Sequence, residues 1–343
     1  MRKRLFSIIQ YLIFLGGGIF LVWWQLKSMT SEDKTEFYHA LTHANYWLII
    51  PIITMSLLSH LSRSMRWKLL MEPLGYRPRL KNVFAVTMVG YLVNSAIPRL
   101  GEIIKCTFLA RYEKLKTDKL VGTIIVERTF DVLCYIIFIA ITVLIQIDTI
   151  GGMVSSKLKI ITASTGFPLW AKVLIFCAIF IMLLLFIKFL FKKFPGNKII
   201  FKINSFLKGI LEGFRSIRNL KHRKAFILHT LFIWLMYLLQ IYVGFSAMEG
   251  TIHLSLKAAC SVLTLATLAM IATPGGIGSF PFFVMQTLVV YSIPASLGKA
   301  FGWLIWGVST GIIIIAGLLA LLLLPYLNRK KHEISSVDTG KNL

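Results

Sequence analysis

The 343-residue sequence predicts an all-α polytopic membrane protein. It has six full spans and two oppositely oriented re-entrant helical hairpins, arranged as an inverted repeat. Three observations predict this. Hydrophobic residues make up 57% of the chain and charged residues 15%, a balance foreign to soluble domains of this size. The basic residues are sorted by loop, as the positive-inside rule requires of a membrane protein. The apolar runs are broken twice by a Pro-Gly knot, Pro98-Arg99-Leu100-Gly101-Glu102 and Pro274-Gly275-Gly276-Ile277-Gly278, about half a chain apart. Paired interruptions in matching halves point to a transporter binding site at mid-membrane.

Runs near the ~20 residues of a full span fall at 5–26, 45–62, 124–147, 170–190, 225–247 and 301–324. Shorter runs at 83–97, 103–112, 258–272 and 280–293 flank the knots. A helix of about 15 residues covers about 22 Å, less than the ~30 Å hydrocarbon core. Each short pair therefore reads as a hairpin with a knot at its tip. Charge sets the orientation. Were 83–97 to cross fully, Arg99, Lys105, Arg111, Lys114, Lys116 and Lys119 would face outside. A hairpin entering from the cytoplasm keeps them inside. The second hairpin then enters from outside, between Glu249 and Lys299, and both termini are cytoplasmic. Val86–Glu102 can be laid over Val262–Gly278 with Pro98 on Pro274, so repeat-like halves run over 45–147 and 225–324.

A single transmembrane domain is thus expected over 1–327, with a cytoplasmic polar tail, expected to be disordered, over 328–343. Met1–Trp24 lacks a small-x-small cleavage site and reads as an uncleaved first span. Within 198–221, Ile199, Ile203, Phe206, Ile210 and Phe214 recur at helical spacing with Lys and Arg mostly elsewhere on the wheel. This is a basic amphipathic segment, lying on the inner leaflet or packed on the bundle.

The net charge of +24, sorted by loop, argues against nucleic acid and for anionic inner-leaflet lipid as partner. The four cysteines are scattered without a CxxC, so no disulfide framework is implied. Gly298-Lys299 is followed by Ala300 and lacks the leading glycine of a nucleotide loop, so transport is not expected to be ATP-driven by this chain. His39 and His43 are i,i+4 without an HExxH motif and read as a solvated outer face. No metal, other cofactor or catalytic residue is expected.

The chemistry centres on the knots. After each one a half-helix starts with unpaired N–H groups and a positive dipole end, which suit phosphate or carboxylate. Gly101, Gly275, Gly276 and Gly278 permit a turn and close approach to a ligand, or else tight helix packing. Ser279 is a candidate cap for the second half-helix. Asn94, Tyr91 and Thr273 stand beside the knots as ligand contacts or interhelical hydrogen bonds. The first knot carries Arg99 and Glu102, with Lys105 beyond, and the second carries no charge, so a charged wall would face a neutral one. Glu127, Arg128 and Asp131 open the span 124–147. Ionisable groups in a span face a cavity or one another. Arg63 and Arg66, at the inner end of the second span, suit a phosphate or a topology anchor.

These residues carry a resemblance. Arg63-x-x-Arg66-Trp67, Gly90-Tyr91-x-x-Asn94-x-x-x-Pro98-Arg99-x-Gly101-Glu102, Glu127-Arg128-x-x-Asp131 and Pro274-Gly275-Gly276-Ile277-Gly278 occur in that order. Together they resemble the flippase-like integral membrane family that includes the transmembrane region of lysylphosphatidylglycerol synthase. The resemblance covers roughly 5–325. It implies a bacterial or archaeal plasma-membrane protein that moves lipid between leaflets, with Arg63, Arg66, Arg99, Glu102, Glu127, Arg128 and Asp131 as cavity residues. No synthase domain follows in this sequence, so lipid synthesis is not implied, and a lipid-modifying enzyme becomes a possible partner. The second half reads Ile305-Trp306-x-x-Ser309 where the first has Glu127-Arg128-x-x-Asp131, so any site is asymmetric. The expected function is a lipid or lipid-linked-headgroup translocase. The alternatives are a transporter of a small anionic solute, or an accessory subunit or intramembrane enzyme of lipid metabolism.

Overall fold

The computed structural model describes residues 2–158, 182 and 220–339. Every regular element among them is helical. In order they are α1 (Arg2–Lys27), α2 (Ser31–Thr42), α3 (Ile49–Met71), α4 (Leu80–Ala96), α5 (Leu100–Glu113), α6 (Thr117–Leu158), α7 (Arg223–Phe245), α8 (Leu256–Ala272), α9 (Ser279–Val290) and α10 (Ala295–Thr339). Four stretches among the described residues are long and apolar enough to cross a membrane: Tyr46–Leu74, Thr117–Gln146, Arg223–Phe245 and Ala295–Arg329. Leu256–Ile271 and Ser279–Val290 are apolar but shorter. The expected run 5–26 lies within α1. The expected span 170–190, apart from residue 182, and all but the end of the amphipathic segment 198–221, lie outside the described residues.

The chain forms two compact units, residues 1–125 with 220–343, and residues 126–219. In the first, α3 packs along α7, α4 on α5, and α8 on α9, while α10 packs on α9, α4 and α2. The order long, short, short, long occurs twice, in α3–α6 and α7–α10. The paired lengths agree: 23 and 23 residues for α3 and α7, 17 and 17 for α4 and α8, 14 and 12 for α5 and α9.

Proline chemistry ends the first limb of each hairpin. A residue before proline is driven from the helical to the extended region. Ile97 before Pro98 takes φ −129° and ψ 103°, and Thr273 before Pro274 takes φ −134° and ψ 153°. The turns differ beyond that point. The second uses Gly275, Gly276 and Gly278 at φ 60°, 70° and 71°, open to glycine at no steric cost. In the first, Arg99 itself takes φ 71°, and Gly101 lies inside α5. Gly101 is therefore not a turn residue. It lets α5 approach α4, because a Cβ there would fall 1.9 Å from the Gly90 carbonyl oxygen.

An apolar cluster holds this unit together, with Trp67 and Met71 of α3, Val83, Val86 and Met88 of α4, Cys106 and Leu109 of α5, Leu120 of α6 and Leu324 of α10. The stretch 27–44 contains α2, opened by a capping box. The Thr30 hydroxyl accepts from the Asp33 N–H, and the Asp33 carboxylate accepts from the Thr30 N–H. At the other end, α10 continues to Thr339 and does not give way to a disordered tail at 328. Asn328 is buried and exchanges hydrogen bonds with Asn82 of α4 at 2.9 and 3.1 Å. A helix held there propagates cheaply into polar sequence.

Candidate functional site

Polar residues line the buried face of α3. Ser56, Ser59, His60, Ser62, Arg63, Ser64 and Arg66 are all buried. The helix runs to Met71, and both guanidiniums lie inside the protein. An apolar window stops at Ser62 because it cannot register partners supplied by another helix. Here α7 supplies them. Arg66 Nη1 donates to Thr230 Oγ1 at 3.1 Å, and its guanidinium lies 5.5 Å from the centre of the Phe226 ring. Arg63 Nη2 donates to the Tyr237 hydroxyl at 3.4 Å. Ser62 Oγ lies 2.9 Å from His229 Nδ1. Burying such cations costs several kcal/mol per ion in effective terms unless polar groups surround them.

The same face meets the first hairpin. The His60 ring packs on Tyr91 of α4 with centroids 4.9 Å apart. Lys105 of α5 is buried, with Nζ 4.4 Å from the centre of the Trp67 ring, a cation–π contact. The Trp67 indole N–H donates to Thr123 Oγ1 at 2.8 Å. Arg63, Arg66 and Lys105 thus make three buried cations within one unit. Sequence reading placed Lys105 in the charged wall of the first knot, without its aromatic partner, and did not single out His60. His60 stands one turn before Arg63, and Lys105 one turn after Glu102. That spacing is the signal that links each to the motif.

At the first tip, Asn94 Oδ1 accepts the Gly101 N–H at 2.9 Å, tying the start of α5 to α4. Its role is an interhelical hydrogen bond. Pro98 and Arg99 are exposed, and Glu102 is half-buried in the first turn of α5. At the second tip, Thr273, Pro274, Gly276, Gly278 and Ser279 are buried. Ser279 is not the cap of α9. Gly278 occupies that position without a side-chain bond. The Ser279 hydroxyl donates to the Ala269 carbonyl at 2.8 Å and lies 2.6 Å from the Thr273 hydroxyl. The Ser279 hydroxyl thus ties the start of α9 to α8, while the Thr273 hydroxyl donates to the Ile277 carbonyl at 3.0 Å and braces the turn itself.

The two tips meet. A Cβ on Gly275 would fall 3.2 Å from the Ser95 carbonyl oxygen, and the Trp306 indole N–H donates to the Gly275 carbonyl at 2.9 Å. Behind the tip, α1 closes in. Gln25 Nε2 donates to the Gly278 carbonyl at 2.9 Å, and a Cβ on Gly278 would fall 2.4 Å from the Gly18 carbonyl oxygen. Lys299 of α10 is buried, with Nζ 3.4 Å from the Gln25 backbone carbonyl.

Glu127, Arg128 and Asp131 belong to the second unit. Helix α6 starts at Thr117, so they lie in its third and fourth turns. Glu127 is buried, and Arg128 Nη1 pairs with Asp131 Oδ2 at 3.8 Å, one turn apart. Among the described residues, no group of three or more His, Cys, Asp or Glu side chains could hold a metal ion. The first unit thus gathers buried basic side chains, hydroxyls and aromatic rings in the same unit as two touching hairpin tips.

Comparison with known proteins agrees with this architecture. Residues 7–317 match the family described as the lysylphosphatidylglycerol synthase TM region. The chain is also similar to the UPF0104 membrane protein MJ1595 of Methanocaldococcus jannaschii. The two are 23% identical over 325 residues, covering 90% of this chain and 94% of that protein. No solved structure matches. The chain belongs to the lysylphosphatidylglycerol synthase TM region family and is a multi-pass membrane protein.

Proposed function

We propose that this protein moves a phospholipid, or a lipid-linked headgroup, between the leaflets of a bacterial or archaeal plasma membrane. One observation carries the reading: Arg63 and Arg66 are buried among hydroxyls and aromatic rings inside a stretch long and apolar enough to cross a bilayer. Ionisable groups there are costly and mark a pathway by default. A phosphodiester is the lipid group that such cations favour. The family's own description, the membrane region of a synthase of a modified phospholipid, supports a lipid substrate.

In this mechanism the headgroup passes the α3 face and the paired hairpin tips while acyl chains remain in the bilayer. Both hairpins are re-entrant, and both termini are cytoplasmic. The chain acts as a transporter rather than an enzyme. Anionic phospholipids are its partners, and a separate lipid-modifying enzyme supplies or consumes the substrate. Driving force comes from the lipid gradient or an ion gradient, not from a nucleotide on this chain.

Leaflet exchange in proteoliposomes tests the proposal. Labelled phospholipids of different headgroups are compared, with Arg63→Ala and Arg128→Ala as variants. Headgroup-selective exchange, lost in the variants at normal folding, is the expected result. Absence of exchange for every headgroup refutes it.

A further inference from the structure

We infer that α1 is a strap that closes the second hairpin tip and lifts from it without the rest of its unit unfolding. The inference stands apart from the transport reading, because it concerns what covers the tip and not what passes it.

The two tips are covered differently. Pro98 and Arg99 are exposed at the first, whereas Thr273, Pro274, Gly276, Gly278 and Ser279 are buried at the second. Gly278 shows what makes the difference. The three atoms nearest an ideal Cβ there are the Gly18 carbonyl oxygen at 2.4 Å, Leu21 Cβ at 3.1 Å and Val22 Cγ2 at 3.1 Å, and all belong to α1. From the other side, a Cβ on Gly18 would fall 2.8 Å from the Ile277 carbonyl oxygen and 3.5 Å from Thr273 Cβ. Small residues let backbones approach this closely. The strap is also an addition to the repeated part of the fold. Both α1 and α2 precede the order long, short, short, long that begins at α3.

The fastening is local and polar. Gln25 is 1% exposed. Its Nε2 donates to the Gly278 carbonyl at 2.9 Å and to the Leu21 carbonyl at 3.1 Å. Its Oε1 is buried without a hydrogen-bond partner, so the seated arm bears the cost of an unmet acceptor. Lys299 Nζ donates to the Gln25 backbone carbonyl at 3.4 Å, near the limit of a hydrogen bond. Elsewhere the arm buries little: Phe14, Ile19, Phe20, Trp23 and Leu26 are exposed. Among the described residues, α1 packs chiefly on α9 and the turn before it. The arm is anchored at α2, where Phe37 is buried and the Ser296 hydroxyl of α10 donates to the Glu36 carboxylate. An element with few buried contacts opens at lower free energy than the core it rests on. Lifting α1 gives the second tip the exposure that the first already has.

Hydrogen–deuterium exchange of the full-length protein in detergent tests this. Gln25→Leu removes the donor to Gly278 and should speed amide exchange over 273–280 about tenfold. Gly18→Leu wedges the same interface by a different means, while leucine keeps α1 helical. It should speed the same amides by at least about tenfold. Gly17→Leu is the control. Nothing lies within 4 Å of its ideal Cβ, so it should exchange as wild type. In all three variants the amides of α3, α7 and the first tip should keep their wild-type rates. The inference is overturned if Gln25→Leu or Gly18→Leu leaves the second tip at its wild-type rate, or if Gly17→Leu matches Gly18→Leu. It is equally overturned if α3 and α7 accelerate with the tip, since α1 would then be part of the core.

Discussion

Replacing Gly101 by alanine tests how the first hairpin is built. An ideal Cβ at that position falls 1.9 Å from the Gly90 carbonyl oxygen and 2.8 Å from Asn94 Cγ and Oδ1. Carbon–oxygen contacts between packed helices run at about 3.3 Å, so α4 and α5 must part by roughly 1.4 Å. The first obstacle is backbone and cannot rotate away. Overpacking of this kind costs about 1–3 kcal/mol, and losing the Asn94–Gly101 bond adds about 1 kcal/mol. The better helix propensity of alanine offsets about 1 kcal/mol. The net expectation is a destabilisation of about 1–3 kcal/mol. Gly122 provides the control. It is helical and exposed, and nothing lies within 4 Å of its ideal Cβ. Gly122→Ala retains only the propensity gain and should stabilise by up to about 1 kcal/mol. Thermal unfolding of both variants in one detergent should therefore shift in opposite directions. A Gly101→Ala midpoint at or above wild type would refute the close-packed hairpin.

Three further outcomes are expected. Phe226 is fully buried beneath the Arg66 guanidinium, so Phe226→Ala should cost about 3–5 kcal/mol, read as a large drop in unfolding midpoint that Phe226→Leu mostly avoids. Trp306→Phe removes the donor to the Gly275 carbonyl. It should cost about 0.5–1.5 kcal/mol and speed amide exchange around the second tip. Asp33 lies outside the spans. Its hydrogen bonds to the Thr30 backbone and hydroxyl hold its carboxyl below the ordinary value of 3.8. A carboxyl lowered in the folded state stabilises α2 above its unfolded value, and that contribution is lost as pH falls through the folded one. Exchange protection of α2 should therefore fade below about pH 4, and Asp33→Asn should remove this acid dependence.

Much of the fold was legible in the sequence because its signals are local. Apolar runs located α4, α7 and α8 within a few residues. Pro98 and Pro274 marked the breaks because a pre-proline residue leaves the helical region whatever surrounds it. Thr30-x-x-Asp33 opens α2 by the same kind of local rule. The extents of α3 and α10 were misjudged at one place each. Both helices run on past the expected runs 45–62 and 301–324, where Arg63, Arg66 and Asn328 are buried against partners from distant helices.

The candidate site divides along the same line. The chain's own order of residues determined its class, its two interruptions and the acidic and basic motifs, because composition and proline geometry act within a turn or two. Tertiary structure decided what each motif residue does. Asn94 and Ser279 hold hairpins together, Gly101 admits a neighbouring backbone, and Gly275 touches Ser95. Tertiary structure also set His60 beside Tyr91 and gave Arg66 its partners on α7. A buried charge is defined by which groups fail or manage to reach it. That depends on helices far apart in the chain, and no local pattern encodes it.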